Sequence, residues 1–163
     1  MPENQIKAIV FDWGDTIMRD FALPGPMSGW HKVEWIGGAE EALAYLSKRY
    51  CCIIATGASH SDVPEMRKAL ARVGAEVYFS HFYSRHEIGY NKPDVRFFAR
   101  VLQLAGFRPE EAAMVGNLYD KDIIGAKMAG MTTIWFNEHN VEGSFPMADH
   151  IISDLRMLTL MGL

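Results

Sequence analysis

The sequence predicts an α/β fold, a doubly wound and mostly parallel sheet with helices on both faces. Three observations predict it. Short apolar runs rich in β-branched residues recur along the chain, amphipathic stretches of helical spacing alternate with them, and four polar clusters fall at or just after predicted strand ends.

In chain order, the run 6–11 is apolar apart from Lys7 and reads as the first buried strand. Runs 51–55, 77–79, 112–115 and 132–136 read the same way, and 150–153 adds a short strand before a final helix. Ala39, Ala42, Leu43 and Leu46 share one face of a helix expected over 37–50. Later helices carry Met66, Leu70 and Val73, then Phe97, Val101, Leu102 and Ala105, then Ile123, Ala126, Lys127 and Gly130. Ser61 and Asp62 can cap a helix with Pro64 in its first turn, while Gly74, Gly106 and Gly130 suit helix ends.

A chain of 163 residues, 49% hydrophobic and 22% charged, is read as a single domain, 1–163, with a substantial core. Its net charge of -4 gives no general attraction to nucleic acid or anionic lipid, so neither partner is expected. Glu3 and Lys7 precede a short apolar run that fits neither a secretory signal nor a membrane span. Adjacent Cys51 and Cys52 read as a reduced pair rather than a disulfide, and together these features place the chain in the cytoplasm. The six histidines show no ligand spacing, no CxxC pair suggests zinc, and the four tryptophans read as core or pocket-wall residues.

The polar clusters carry the chemistry. Residues 10–16, Val-Phe-Asp-Trp-Gly-Asp-Thr, deliver Asp12 from a strand into a turn, and residues 54–57, Ile-Ala-Thr-Gly, put Thr56 after the second strand. Residues 89–94, Gly-Tyr-Asn-Lys-Pro-Asp, hold Lys92 before a helix, and residues 115–117, Val-Gly-Asn, are followed by Asp120 and Asp122. In order, type and approximate spacing these four segments resemble the motifs of haloacid-dehalogenase-type hydrolases, over about residues 6–136.

The resemblance implies a Rossmann-like core and a phosphatase-type hydrolase of phosphorylated substrates, small or macromolecular. Phosphoryl transfer needs an in-line nucleophile, positive charge and donors for the phosphate oxygens. By resemblance, Asp12 forms an aspartyl phosphate, Thr56 and Gly57 bind the transferred group, and Lys92 neutralises charge. Asp12, the carbonyl of Gly14, Asn117 and Asp122 would hold Mg²⁺, and Asp120 stays outside the ligand set.

Two departures matter. Gly14 stands where the family usually carries a second aspartate, which protonates the leaving group and then activates water, and Asp15 lies one residue further on. Three explanations stay open: Asp15 turns inward, the leaving group needs little protonation, or the chain binds phosphate and turns over poorly. Asn117 also replaces a commoner aspartate. In addition, only about forty residues separate Asp12 from Thr56, leaving no room for a large cap domain. The site is therefore expected to be open unless loop 19–32, with Phe21, Pro24, Pro26, Met27 and Trp30, forms a small lid or a second copy of the chain covers it. That loop could equally pack on its own core.

A dehalogenase fits less well, because its apolar capped pocket has no space here. A signalling receiver domain would place its phosphorylated aspartate at the third strand, not the first. The remaining alternative is a catalytically weakened phosphate-binding or interaction module.

Overall fold

The computed structural model describes residues 5–163, and the preceding residues, Glu3 among them, lie outside that range. Among the described residues, β1 (Ala8–Phe11), β2 (Cys51–Thr56), β3 (His81–Ser84), β4 (Ala112–Gly116), β5 (Thr132–Phe136) and β6 (His150–Ile152) form one sheet. The order is β3-β2-β1-β4-β5-β6 and every pairing is parallel. Helices α1 (Ala39–Leu46), α2 (Val63–Arg72), α3 (Arg85–Ile88), α4 (Val95–Ala105) and α5 (Ile124–Met128) connect the strands.

Strand periodicity divides the core into two layers. Ile9, Phe11, Cys52, Ile54, Ala113, Val115, Ile134 and Phe136 pack with α1, α2 and the 3₁₀ segment Leu155–Leu160. Ala8, Val10, Ile53, Ala55, Ala112 and Met114 face α4 and α5 on the other side. Burial on both faces explains why the central strands are unbroken apolar runs. It also turns the two cysteines to opposite faces of β2; both are free, and burial pushes the Cys52 thiol up to about 12.

Asp62 caps α2 by accepting from the Glu65 amide at 3.1 Å, and Asp94 caps α4 through the Arg96 amide at 2.9 Å. Gly106, at φ 85°, ends α4 in the left-handed conformation and donates to the Leu102 carbonyl.

The expected strand at 77–79 is displaced. Glu76–Tyr78 is a 3₁₀ turn with Val77 82% exposed, and the strand follows at His81–Ser84. As the sheet's edge, β3 is only partly covered, and its mixed polar and aromatic residues suit that position better than a continuous apolar run. Phe79 instead packs edge-on against Phe11 and Phe82, with ring centroids 6.2 and 6.1 Å apart. The helix expected over 37–50 is shorter, Ala39–Leu46, because Gly38 at φ 86° precedes its first turn. The final helix is the 3₁₀ segment already described, and the one expected near 123–130 begins as a π-helical turn, Tyr119–Ile123, before α5.

The chain moves outward from β1 through β2 to β3, then returns across the sheet to β4. The crevice beyond the carboxyl ends of β1 and β4 is therefore the topological switch point.

Candidate active site

Asp12 follows β1, and its amide donates to the Val115 carbonyl at 2.9 Å, extending strand pairing to the crevice rim. The next residues form a tight loop in which the Asp15 amide donates to the Met18 carbonyl at 2.7 Å and the Ile17 amide to the Trp13 carbonyl at 2.9 Å. That loop buries Thr16 completely, with its Oγ1 3.2 Å from Asp12 Oδ2 and 3.4 Å from Asn117 Oδ1. The single hydroxyl proton serves one acceptor at a time, so Thr16 links Asp12 to the segment carrying Asn117. Thr16 was not a candidate from sequence; its only signal is a hydroxyl residue four places after Asp12.

The buried Lys92 ammonium lies 2.8 Å from both Asp12 Oδ1 and Asp122 Oδ1. Burial works against its charge, but the two carboxylates outweigh burial and raise its pKa above the usual lysine value. Burial first, then the charge of Asp12, pushes the Asp122 carboxyl up to about 6, with Lys92 pulling the other way. The Leu118 amide also donates to Asp122 Oδ2 at 3.0 Å. Gly116 makes this packing possible, since a Cβ there would collide with the Asp122 side chain.

Thr56, at the end of β2, is buried, and its Oγ1 accepts from the Ala58 amide at 3.0 Å, which leaves its proton free to donate. A Cβ on Gly57 would fall 2.6 Å from Asn91 Oδ1, an oxygen that also accepts from the Lys92 amide at 2.9 Å. Glycine thus lets the second and third motifs approach one another.

Asp12, Gly14, Thr56, Gly57, Lys92 and Asp122 line one cavity of about 480 Å³. Asn117 faces an adjoining cavity with Asp15 and reaches the first through Thr16. His60, read from sequence as a surface residue, is exposed yet stands on the main cavity wall, as does Lys121. Loop 19–32 supplies an opposite, more apolar wall through Leu23, Met27 and Trp30. Arg72 on α2 ties that loop down by donating to the carbonyls of Met27, Ser28 and Trp30 at 3.3, 3.3 and 2.6 Å. The hydroxyl of Ser28 adds a bond to Glu65 on the same helix.

Among the described residues no three His, Cys, Asp or Glu side chains gather into a metal cluster. Of the oxygen donors expected from sequence, Asp12, Gly14 and Asp122 line the main cavity, while the Asn117 amide faces the adjoining one. This all-oxygen set fits a hard divalent cation of the Mg²⁺ kind better than zinc. No described helix is long and apolar enough to cross a membrane.

Residues 29–130 match the family described as haloacid dehalogenase-like hydrolase. A glyceraldehyde 3-phosphate phosphatase of Methanothermobacter thermautotrophicus is 37% identical over 82 residues, 50% of this chain and 35% of that protein. A phosphoserine phosphatase of Thermus thermophilus is 38% identical over 96 residues, 58% of this chain and 39% of that protein. These matches thus span well under half the length of either relative. The fold is shared with the crystal structure of a phosphatase of the same superfamily from Thermococcus onnurineus, at TM-score 0.79 and 23% identity over 96% of this chain and 99% of that one.

Proposed function

The chain belongs to the haloacid dehalogenase-like hydrolase family, and we propose that it hydrolyses small phosphate monoesters through an aspartyl phosphate on Asp12. The observation that carries this reading is the Lys92 ammonium held 2.8 Å from Asp12 at the switch-point crevice. The ammonium fixes one oxygen of the Asp12 carboxylate and places a positive charge beside the position where a transferred phosphoryl group would gather.

Asp12 attacks phosphorus in line with the ester oxygen. Thr56 donates its free hydroxyl proton to an equatorial phosphate oxygen, and Lys92 offsets the charge gathered there. Thr16 holds the other oxygen of the Asp12 carboxylate through its hydroxyl, 3.2 Å away. Bound Mg²⁺, held by Asp12, Asp122, the Gly14 carbonyl and Asn117, would supply further positive charge against the phosphate oxygens.

A cavity of about 480 Å³ walled by loop 19–32 suits a small phosphorylated molecule rather than a phosphoprotein surface. In this reading the loop is a fixed wall, tied by Arg72, which supplies the cover that a separate cap would otherwise give. The names of the two relatives, a glyceraldehyde 3-phosphate and a phosphoserine phosphatase, agree with a substrate of that size.

The test is a phosphate-release screen over sugar, amino-acid, nucleotide, acyl and protein phosphates with and without Mg²⁺. Hydrolysis of small monoesters that requires Mg²⁺ and drops by orders of magnitude in Asp12→Asn is expected. Activity that survives Asp12→Asn overturns the mechanism, and preference for a phosphoprotein overturns the substrate class.

A further inference from the structure

Hydrolysis of an alkyl phosphate needs a proton for the departing alkoxide and a base for the attacking water, and Gly14 offers neither. Asp15, the neighbouring carboxylate, is committed elsewhere. Its Oδ1 lies 3.2 Å from the Arg19 guanidinium, accepts from the Asp20 amide at 3.0 Å, and its side chain belongs to the adjoining cavity. Arg19 is itself clamped by two bonds of 2.8 Å to Glu138, which fixes that arrangement.

Asp20 borders the space that a side chain at Gly14 would enter. A Cβ built on Gly14 would point at the Asp20 side chain, 3.6 Å from its Cβ and 3.8 Å from Oδ2. Asp20 lines the same cavity as Asp12, Thr56 and Lys92. One of its oxygens, Oδ1, accepts from the Ala22 amide at 2.8 Å and orients the carboxyl, while no protein donor engages Oδ2 among the described residues. Both backbone ends of this turn are held, by Asp15 at the Asp20 amide and by the left-handed Ala22 at φ 53°.

We infer that Asp20 is the general acid and base of this site, its carboxyl entering from the loop side to replace one that residue 14 does not carry. The inference rests on the phosphohydrolase reading above. In the first half-reaction an Asp12 oxygen bonds to phosphorus, the ester P–O bond breaks, and the proton on the Asp20 carboxyl passes to the departing alkoxide. In the second, the Asp20 carboxylate takes a proton from water as the water oxygen bonds to phosphorus. The P–O bond to Asp12 then breaks, inorganic phosphate leaves, and Asp20 is again protonated.

The test compares first-turnover rates on glycerol phosphate, which has a poor leaving group, and para-nitrophenyl phosphate, which has a good one, in Mg²⁺. Asparagine at 20 keeps the acceptor for the Ala22 amide, so Asp20→Asn preserves the turn. Its rate on the alkyl ester should fall about 10²- to 10⁴-fold while the aryl ester changes by less than about tenfold. Adding Gly14→Asp to Asp20→Asn should recover most of the alkyl rate. An unchanged alkyl rate in Asp20→Asn, or equal losses on both esters, overturns the role of Asp20. Parallel assays of Asp12→Asn separate the two claims, because activity surviving there defeats the nucleophile assignment itself.

Discussion

One lysine ammonium lies between two buried carboxylates, and its charge offsets the repulsion between them while Lys92 stays in place. Lys92→Gln would leave Asp12 and Asp122 facing each other without a cation. Metal-free urea unfolding should register a loss of about 3–5 kcal/mol; a change under about 1 kcal/mol would mean that the carboxylates relax into water instead. Asp12, Lys92 and Asp122 were legible in the sequence because each belongs to a short pattern set at a strand end or a helix start. Thr16 and Asp20 were not, since their placement depends on two left-handed residues, Asp15 at φ 58° and Ala22 at φ 53°. Hydrophobic periodicity carries no information about such turns.

The elements around the site differ in how openly the sequence declares them. β1, β2, β4 and β5 are covered on both faces and read directly as apolar runs, whereas edge strand β3 lies beyond the apolar segment 77–79, whose Val77 faces solvent. Loop 19–32 was readable as apolar and stiff, but what holds it, Arg72, lies more than forty residues away on α2. Arg72→Ala should cost about 1 kcal/mol of stability, given the exposure of the side chain. It should also raise KM for a small monoester more than it lowers kcat, because the cavity wall loosens while Asp12 and Lys92 stay in place. Steady-state kinetics that show a loss of kcat alone would contradict the role of this loop as a substrate wall.

At the scale of the molecule, the switch-point topology gathers four sequence-distant segments at one end of the sheet, while charge at the opposite end ties the strand starts together. There Glu111 accepts from the Arg108 amide at 3.0 Å and meets Lys7 and the Arg108 guanidinium, which hold its pKa down at about 2, below the ordinary 4.5. A depressed folded-state pKa stabilises fully above the unfolded value and is lost as pH falls toward the folded one. Stability measured by urea midpoint should therefore decline between about pH 4.5 and pH 2, with a shallower decline over that window in Glu111→Gln. Identical slopes would remove Glu111 from the acid response.

The central claim, that Asp12 carries the phosphoryl group, is tested most directly by quenching the protein in acid during turnover of para-nitrophenyl phosphate with Mg²⁺ and locating the modification by peptide mass spectrometry. The account predicts one phosphoryl group on the peptide containing Asp12, assigned to that side chain and absent from Asp12→Asn. Active turnover with no phosphorylated Asp12, or with the phosphoryl group on another residue, would contradict it.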